Sequence, residues 1–428
     1  MTVPPPATAF DVADRETAEK RNAVVNGVLR FADLPTGAVP VMIKDCIDVA
    51  GDVTTFGSAI HVEDAPARQD AFTIARLRRA GGGVAGKTHL TEFCFGATGE
   101  NAHYGNARNP WDKARITGGS SSGSAASVGA GIVRMALGTD TGGSVRVPAA
   151  LCGVVGLRPS FGRVSNSGCI SLSTIVDTIG PMAATARECA WLFDAIAGYD
   201  PDDPNSQRGG ALASADIDAG VTGLLIGIPR PFYFEDASAE VSETVETALR
   251  WLERSGAGLK DCALGDAEER RSQHAIRFVA ADVADARRAV LRDHGDRLGA
   301  KVRQRIEQGA LLSGPDYAAS IRALQHFRRM LRTAFESGID VLATPTTPEV
   351  APLWSDSDDM IATTRRVAAF TYDIGATGFP ALSVPCGFTA AGLPVGIQLV
   401  APWGREDILF RVAQVLESHH PLATASLS

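Results

Sequence analysis

Apolar positions along this chain fall into short runs set between glycines and prolines. Ala71, Ile74 and Ala75 follow helical spacing, and Gly81-Gly82-Gly83 closes that stretch. The pattern predicts a helix ended by glycine, then a buried strand around Val84 and Ala85. From Ser124 to Leu137 the residues are small or apolar nearly all round, which predicts an interior helix with its backbone close to its neighbours. Between Ala239 and Ser337 charged and apolar residues mix at helical period without strand-like alternation, so long helices are expected there. Val341-Leu342-Ala343 and Leu382-Ser383-Val384 are short apolar runs bounded by proline and predict buried strands. Helix and strand signals thus alternate along the chain, which points to an α/β class in which a mixed sheet is covered by helices. No internal repeat or low-complexity tract occurs, and only the two termini are candidates for disorder.

Composition narrows the class. The chain has 428 residues, 45% of them hydrophobic, enough to bury a large core and, by length, to form two or three domains. No apolar run approaches the roughly 20 residues needed to span a bilayer. The start, Met1-Thr2-Val3-Pro4-Pro5-Pro6, has neither a basic region nor an apolar core of the kind that directs secretion. A cytoplasmic protein with no membrane partner is expected. The seven cysteines are odd in number and form no C-x-x-C pair, which argues for reduced thiols and against a zinc ribbon or a disulfide framework. Net charge is −8, and the arginine-rich middle alternates in sign, as in Glu268-Glu269-Arg270-Arg271. That reads as solvated helix surface, so no nucleic-acid partner is expected.

The chemistry lies in two serine clusters. Thr117-Gly118-Gly119-Ser120-Ser121-Ser122-Gly123-Ser124 precedes Gly138-Thr139-Asp140-Thr141-Gly142-Gly143-Ser144-Val145-Arg146. Each sets a hydroxyl in glycine, which lets the backbone aim N–H groups at a reacting oxygen. Ser144 follows Thr141-Gly142-Gly143, a turn whose successive N–H groups can cradle an anion, and is the better nucleophile. The backbone of Thr141, Gly142, Gly143 and Ser144 is the candidate oxyanion hole. Lys44 lies upstream in Val41-Met42-Ile43-Lys44-Asp45-Cys46-Ile47-Asp48. An ordinary lysine, with a pKa near about 10.4, is no base at neutral pH, but burial beside hydroxyls disfavours its charged form.

Two motifs point elsewhere. Gly81 to Thr88 satisfies the G-x-x-x-x-G-K-[ST] phosphate-loop pattern, but a helix precedes it where that loop requires a strand. Gly119 to Gly123 satisfies G-x-S-x-G with Ser121 as nucleophile, but that elbow requires a preceding apolar strand and a late histidine in reach. Arg108 to Thr117 is polar and contains Pro110, and the late histidines, His419 and His420, sit near the C-terminus.

Taken in order, Lys44-Asp45, Gly86-Lys87-Thr88, Asn109-Pro110-Trp111-Asp112, the two serine clusters, Asp177-Thr178-Ile179-Gly180-Pro181, Gly378-Phe379-Pro380-Ala381-Leu382-Ser383-Val384-Pro385 and Gly392-Leu393-Pro394-Val395-Gly396-Ile397-Gln398 resemble the amidase signature family. The resemblance implies a large mixed twisted β-sheet with helices on both faces. It also implies a single domain over 1–428, with a core at about 39–190, a variable helical region at about 200–337 and a return to the core at about 338–418. It implies amide hydrolysis through a Ser144 acyl-enzyme, with Ser120 as relay after a cis peptide from Gly119 and Lys44 as base. Ser121, Asp140 and Arg146 would support the site, the last two as a loop brace. Cys94, Gly119 and Cys169 are the candidate substrate-binding residues. No metal or organic cofactor is implied. The expected partner is a small-molecule amide, and a homodimer is left open. The alternatives within the family are the catalytic subunit of a tRNA-dependent amidotransferase and a urea- or biuret-type hydrolase. Two positions depart from the family pattern: Thr117 stands where proline is usual and His89 where asparagine is common.

Overall fold

The computed structural model describes residues 14–421 and 423–427. The proline-rich start at Met1 to Pro6 lies outside the described residues. At the C-terminal end, also a candidate for disorder, Ala425 is buried and its N–H donates to the Gly129 carbonyl, while Ala423, Thr424 and Ser426 are exposed.

Among the described residues eleven strands form one mixed sheet: β1 (Val28–Phe31), β2 (Val39–Lys44), β3 (Gly82–Thr88), β4 (Met135–Asp140), β5 (Val155–Arg158), β6 (Thr178–Ala183), β7 (Leu225–Pro229), β8 (Gly258–Cys262), β9 (Val341–Pro345), β10 (Ala381–Phe388) and β11 (Pro394–Val400). Their spatial order is β1-β3-β2-β4-β6-β5-β10-β11-β9-β7-β8. β2 runs parallel to both β3 and β4, whereas β4, β6, β5, β10, β11 and β9 are successively antiparallel. Every residue of β2, β3 and β4 is buried, because helices cover both faces and leave no polar alternation to read.

Successive strand side chains point to opposite faces, and the core divides accordingly. Val41, Ile43 and Leu137 join one apolar cluster, while Met42 and Ala136 join another. Two helices that touch each other, Ser122–Gly129 and Arg146–Cys152, cover one face, and Ala186–Ile196, Ala239–Arg254 and Glu406–His419 cover the other. By period two, Lys44 shares the face of Met42, on the side of helix Ser122–Gly129.

One expectation is corrected. The predicted helix from Ser124 to Leu137 is a shorter helix, Ser122–Gly129, followed by strand β4. Gly131 takes φ +66° and turns the chain, and Met135-Ala136-Leu137 then pairs with β2 and β6. A small apolar segment cannot be assigned to helix or strand by periodicity alone. The region from Ala239 to Ser337 carries the expected long helices, Ala239–Arg254 and Gly314–Glu336, together with the edge strand β8, which pairs only with β7. The other predicted elements appear as helix Phe72–Arg79 and strands β3, β9 and β10.

Candidate active site

The parallel pair β2 and β4 brings two C-terminal ends to one edge of the sheet, where ligand sites of α/β sheets tend to form. Lys44 is the last residue of β2, and Thr139 and Asp140 are the last two of β4. Helix Ser122–Gly129 then places the first serine cluster over this edge. Gly123 lies so close to the backbones of Gly27 and His89 that a Cβ would come within 2.2 and 2.5 Å of them, so only glycine permits this approach. On this buried helix Ser124 Oγ bonds to the Leu137 carbonyl at 2.9 Å and to Thr88 Oγ1 at 2.8 Å.

Lys44 and Ser120 are both fully buried. Lys44 Nζ donates to Ser120 Oγ at 2.7 Å and to Thr139 Oγ1 at 2.7 Å, with no carboxylate in ion-pair range among the described residues. The Gly119–Ser120 peptide is cis. The two serine loops meet directly, because the Ser121 N–H donates to the Ser144 carbonyl at 3.2 Å. The Ser121 hydroxyl bonds to the Thr139 backbone, donating to its carbonyl at 3.3 Å or accepting from its N–H at 3.2 Å. It is therefore tied to β4, as a brace would be and a nucleophile would not.

Gly119, Thr141, Gly142, Gly143 and Ser144 line a cavity of about 1000 Å³, with Cys94, Phe95, Gly96 and Tyr372 among the facing residues. Of the four amides expected to hold an oxyanion, Gly143 N–H is already committed, donating to Asp140 Oδ1 at 2.9 Å. The N–H groups of Thr141, Gly142 and Ser144 have no intramolecular acceptor among the described residues and remain for a ligand. Gly143 adopts φ +132°, and a Cβ there would fall 2.1 Å from Thr371 Oγ1, so the turn requires glycine twice over.

Below the turn lies a buried ion cluster. Asp140 accepts from Arg146 Nη2 at 2.9 Å and Nε at 3.0 Å, from Arg158 Nη1 at 3.2 Å and from the Val145 N–H at 3.2 Å. Burial alone would raise its pKa, but the charges of Arg146 and Arg158 prevail and hold the carboxyl well below the usual range. Burial in turn pushes the Arg158 guanidinium down to about 10, with Asp140 opposing. Arg146 also donates to Gln398 Oε1 at 2.6 Å and to the Thr371 carbonyl at 3.1 Å. Asp140 and Arg146 thus form a buried ion pair bonded to the turn, and neither lines the cavity.

Cys94 lines the cavity, its Sγ 3.9 Å from Thr139 Oγ1. Cys169 does not. Its backbone forms an antiparallel bridge with Ile47 and its thiol contacts the Ile170 carbonyl. Sequence reasoning missed Arg158 and Thr371, and it quoted Thr139 within the second serine cluster without giving it a role. Gln398 sat in a quoted motif with no role assigned to it.

The competing motifs are disposed of by geometry. The phosphate-loop pattern from Gly81 to Thr88 is largely strand β3, and Lys87 Nζ is buried on Asp45 Oδ1 at 3.0 Å and the Ile47 carbonyl at 2.6 Å. His419 stacks on Trp251 at the surface, far in role from any triad. Among the described residues no group of three metal-ligating side chains could hold an ion, and no helix is long and apolar enough to cross a membrane.

A mixed sheet with a Gly-Gly-Ser turn, a buried lysine and a second serine loop at one edge fits the class of enzymes that act on C–N bonds. The amidase family model matches residues 7–410, and the chain belongs to that family. It is 35% identical to a glutamyl-tRNA(Gln) amidotransferase subunit from Syntrophus aciditrophicus (strain SB), over 96% of this chain and 87% of that protein. In structure it is similar to a chain of an inhibitor-bound protein complex described as revealing the evolutionary origins of an s-triazine catabolic enzyme, with TM-score 0.88, 29% identity and coverage of 96% and 94% of the two chains. It is likewise similar to a 6-aminohexanoate cyclic dimer hydrolase complexed with substrate, with TM-score 0.86, 26% identity and the same coverage.

Proposed function

We propose that this chain hydrolyses an amide C–N bond through a covalent acyl group on Ser144. Ser144 Oγ attacks the amide carbon, and its proton passes through Ser120 Oγ to Lys44 Nζ. The N–H groups of Thr141, Gly142 and Ser144 receive the negative charge that develops on the carbonyl oxygen. Lys44 returns the proton through Ser120 to the leaving nitrogen, the C–N bond breaks, and water, deprotonated by the same relay, then releases the acid. The observation that carries this reading is the pair of 2.7 Å bonds from a buried lysine amine to two hydroxyls and to no acid.

A second reading shares the chemistry but not its setting. The 35% identity to an amidotransferase component over nearly the whole chain favours glutamine as amide donor, with ammonia handed to a partner that acts on charged tRNA. Under it, the sequence-based expectation of no nucleic-acid partner fails. Ammonia release from small primary amides and from glutamine by the purified chain separates the two. Turnover by the chain alone, lost in Ser144→Ala together with fluorophosphonate labelling, is the expected result. A chain inert on every amide until amidotransferase partner proteins are added belongs to the second reading, and labelling at Ser121 in place of Ser144 overturns both.

A further inference from the structure

The cavity beside Ser144 is larger and more cationic than cleavage of a small amide needs. At about 1000 Å³ it stands at the upper end for drug-sized ligands. Beyond the catalytic turn its wall is apolar, with Phe232, Ile276, Val279, Leu312, Ile361 and Phe370. Five arginines complete the lining, Arg271, Arg277, Arg305, Arg365 and Arg366, against a single acid, Asp236. A chain of net charge −8 thus concentrates positive charge at its active-site cavity, the reverse of its overall balance.

Three of these arginines are already engaged. Arg271 clasps Asp236 through two bonds of 2.7 Å, Arg366 pairs with Glu349, and Arg305 donates to the Phe95 carbonyl and lies over its ring at 4.1 Å. Two are not. Arg277 is exposed and donates only to the Ser272 carbonyl at 3.3 Å. Arg365 is exposed, and its side chain has no partner among the described residues. Asp358 and Asp359 share a smaller hollow with Arg365 but form no ion pair with it, and Asp359 is used to cap the next helix.

Resting on the amidase reading above, we propose that the substrate is an elongated amide with an apolar body, whose end remote from the scissile bond carries an anionic group that Arg277 and Arg365 receive. A cleft of one sign attracts the opposite charge and raises the local concentration of substrate, an effect that salt weakens. An exposed guanidinium presents its planar donor fork to a carboxylate without first breaking another pair.

The test compares two chromogenic amides of equal chain length, suberic acid mono-4-nitroanilide and octanoic acid 4-nitroanilide, by release of 4-nitroaniline. The ratio of kcat/KM, anionic over neutral, is expected to exceed tenfold at low salt, to shrink in 0.5 M sodium chloride, and to approach one in Arg277→Gln/Arg365→Gln. Thermal unfolding checks that this double variant is folded. A ratio near one in the wild type, or a preference the double variant keeps, overturns the inference while hydrolysis of either compound leaves the amidase reading standing. No hydrolysis of either compound and no fluorophosphonate label on Ser144 overturn both. Competition against the suberyl compound by a short RNA hairpin at micromolar concentration would assign the arginines to nucleic-acid phosphate and overturn the inference as well.

Discussion

Lys44 Nζ lies as close to Thr139 Oγ1 as to Ser120 Oγ, 2.7 Å in each case. Two hydroxyls therefore fix the direction of one buried amine. Removing the Thr139 hydroxyl leaves a donor of Lys44 without an acceptor, where a buried polar group gains little from water.

Thr139→Val is expected to lower kcat about 10- to 100-fold, the equivalent of losing one buried hydrogen bond of about 1–3 kcal/mol, while Thr139→Ser stays near wild type. Steady-state rates and the rate of fluorophosphonate labelling measure it. Equal loss in the serine and valine variants would assign Thr139 to packing alone.

The Asp140 cluster makes a stability prediction. Asp140→Asn leaves Arg146 and Arg158 buried without their common counter-ion, and breaking such a pair costs about 3–5 kcal/mol. It also weakens the acceptor that holds Gly143 N–H, so the catalytic turn loosens. Denaturant unfolding and kcat should fall together. A variant with unchanged unfolding midpoint and lowered kcat would mean that Asp140 acts on the reaction directly.

His89 carries a pH dependence. Burial pushes its imidazole down to about 4, although the hydrogen bond to the Gly105 carbonyl opposes the shift. Its other nitrogen lies 3.1 Å from Ser122 Oγ, beside the first serine loop. The unfolded imidazole takes a proton near pH 6.5 and the folded one only near 4, so the stabilisation is complete above the unfolded value and is lost as pH falls toward the folded one. The loss attributable to this residue amounts to at most about 3 kcal/mol. His89→Asn, which restores the residue common in the family, should flatten the unfolding midpoint across that pH window relative to the wild type. Parallel curves for the two proteins would rule His89 out as the source.

By itself the sequence marked the loops on which the proposed site is built. Lys44, at the end of a buried strand, stood out through the resemblance to the family. Gly119-Ser120 and Thr141 to Ser144 were legible because such turns depend on local backbone freedom, and a glycine such as Gly143, at φ +132°, announces the turn it permits. The helix ended by Gly81 and the strands around Val84, Val341 and Leu382 were legible for the same reason, since periodicity and punctuation act within a few residues. Beyond that range the tertiary structure decided. Thr139 became a partner of Lys44 only because β4 lies parallel beside β2, joining residues 95 positions apart. Arg158 reached Asp140 across β6, which lies between their strands, and Gln398 reached Arg146 from 252 positions away. The segment from Ser124 to Leu137 divided into helix and strand because burial on every side erases the alternation that separates the two in a sequence. Arg277, in the arginine-rich middle that looks like solvated helix surface in the sequence, meets Arg365 at one cavity because the charges of such a segment acquire a direction only when its helices are packed.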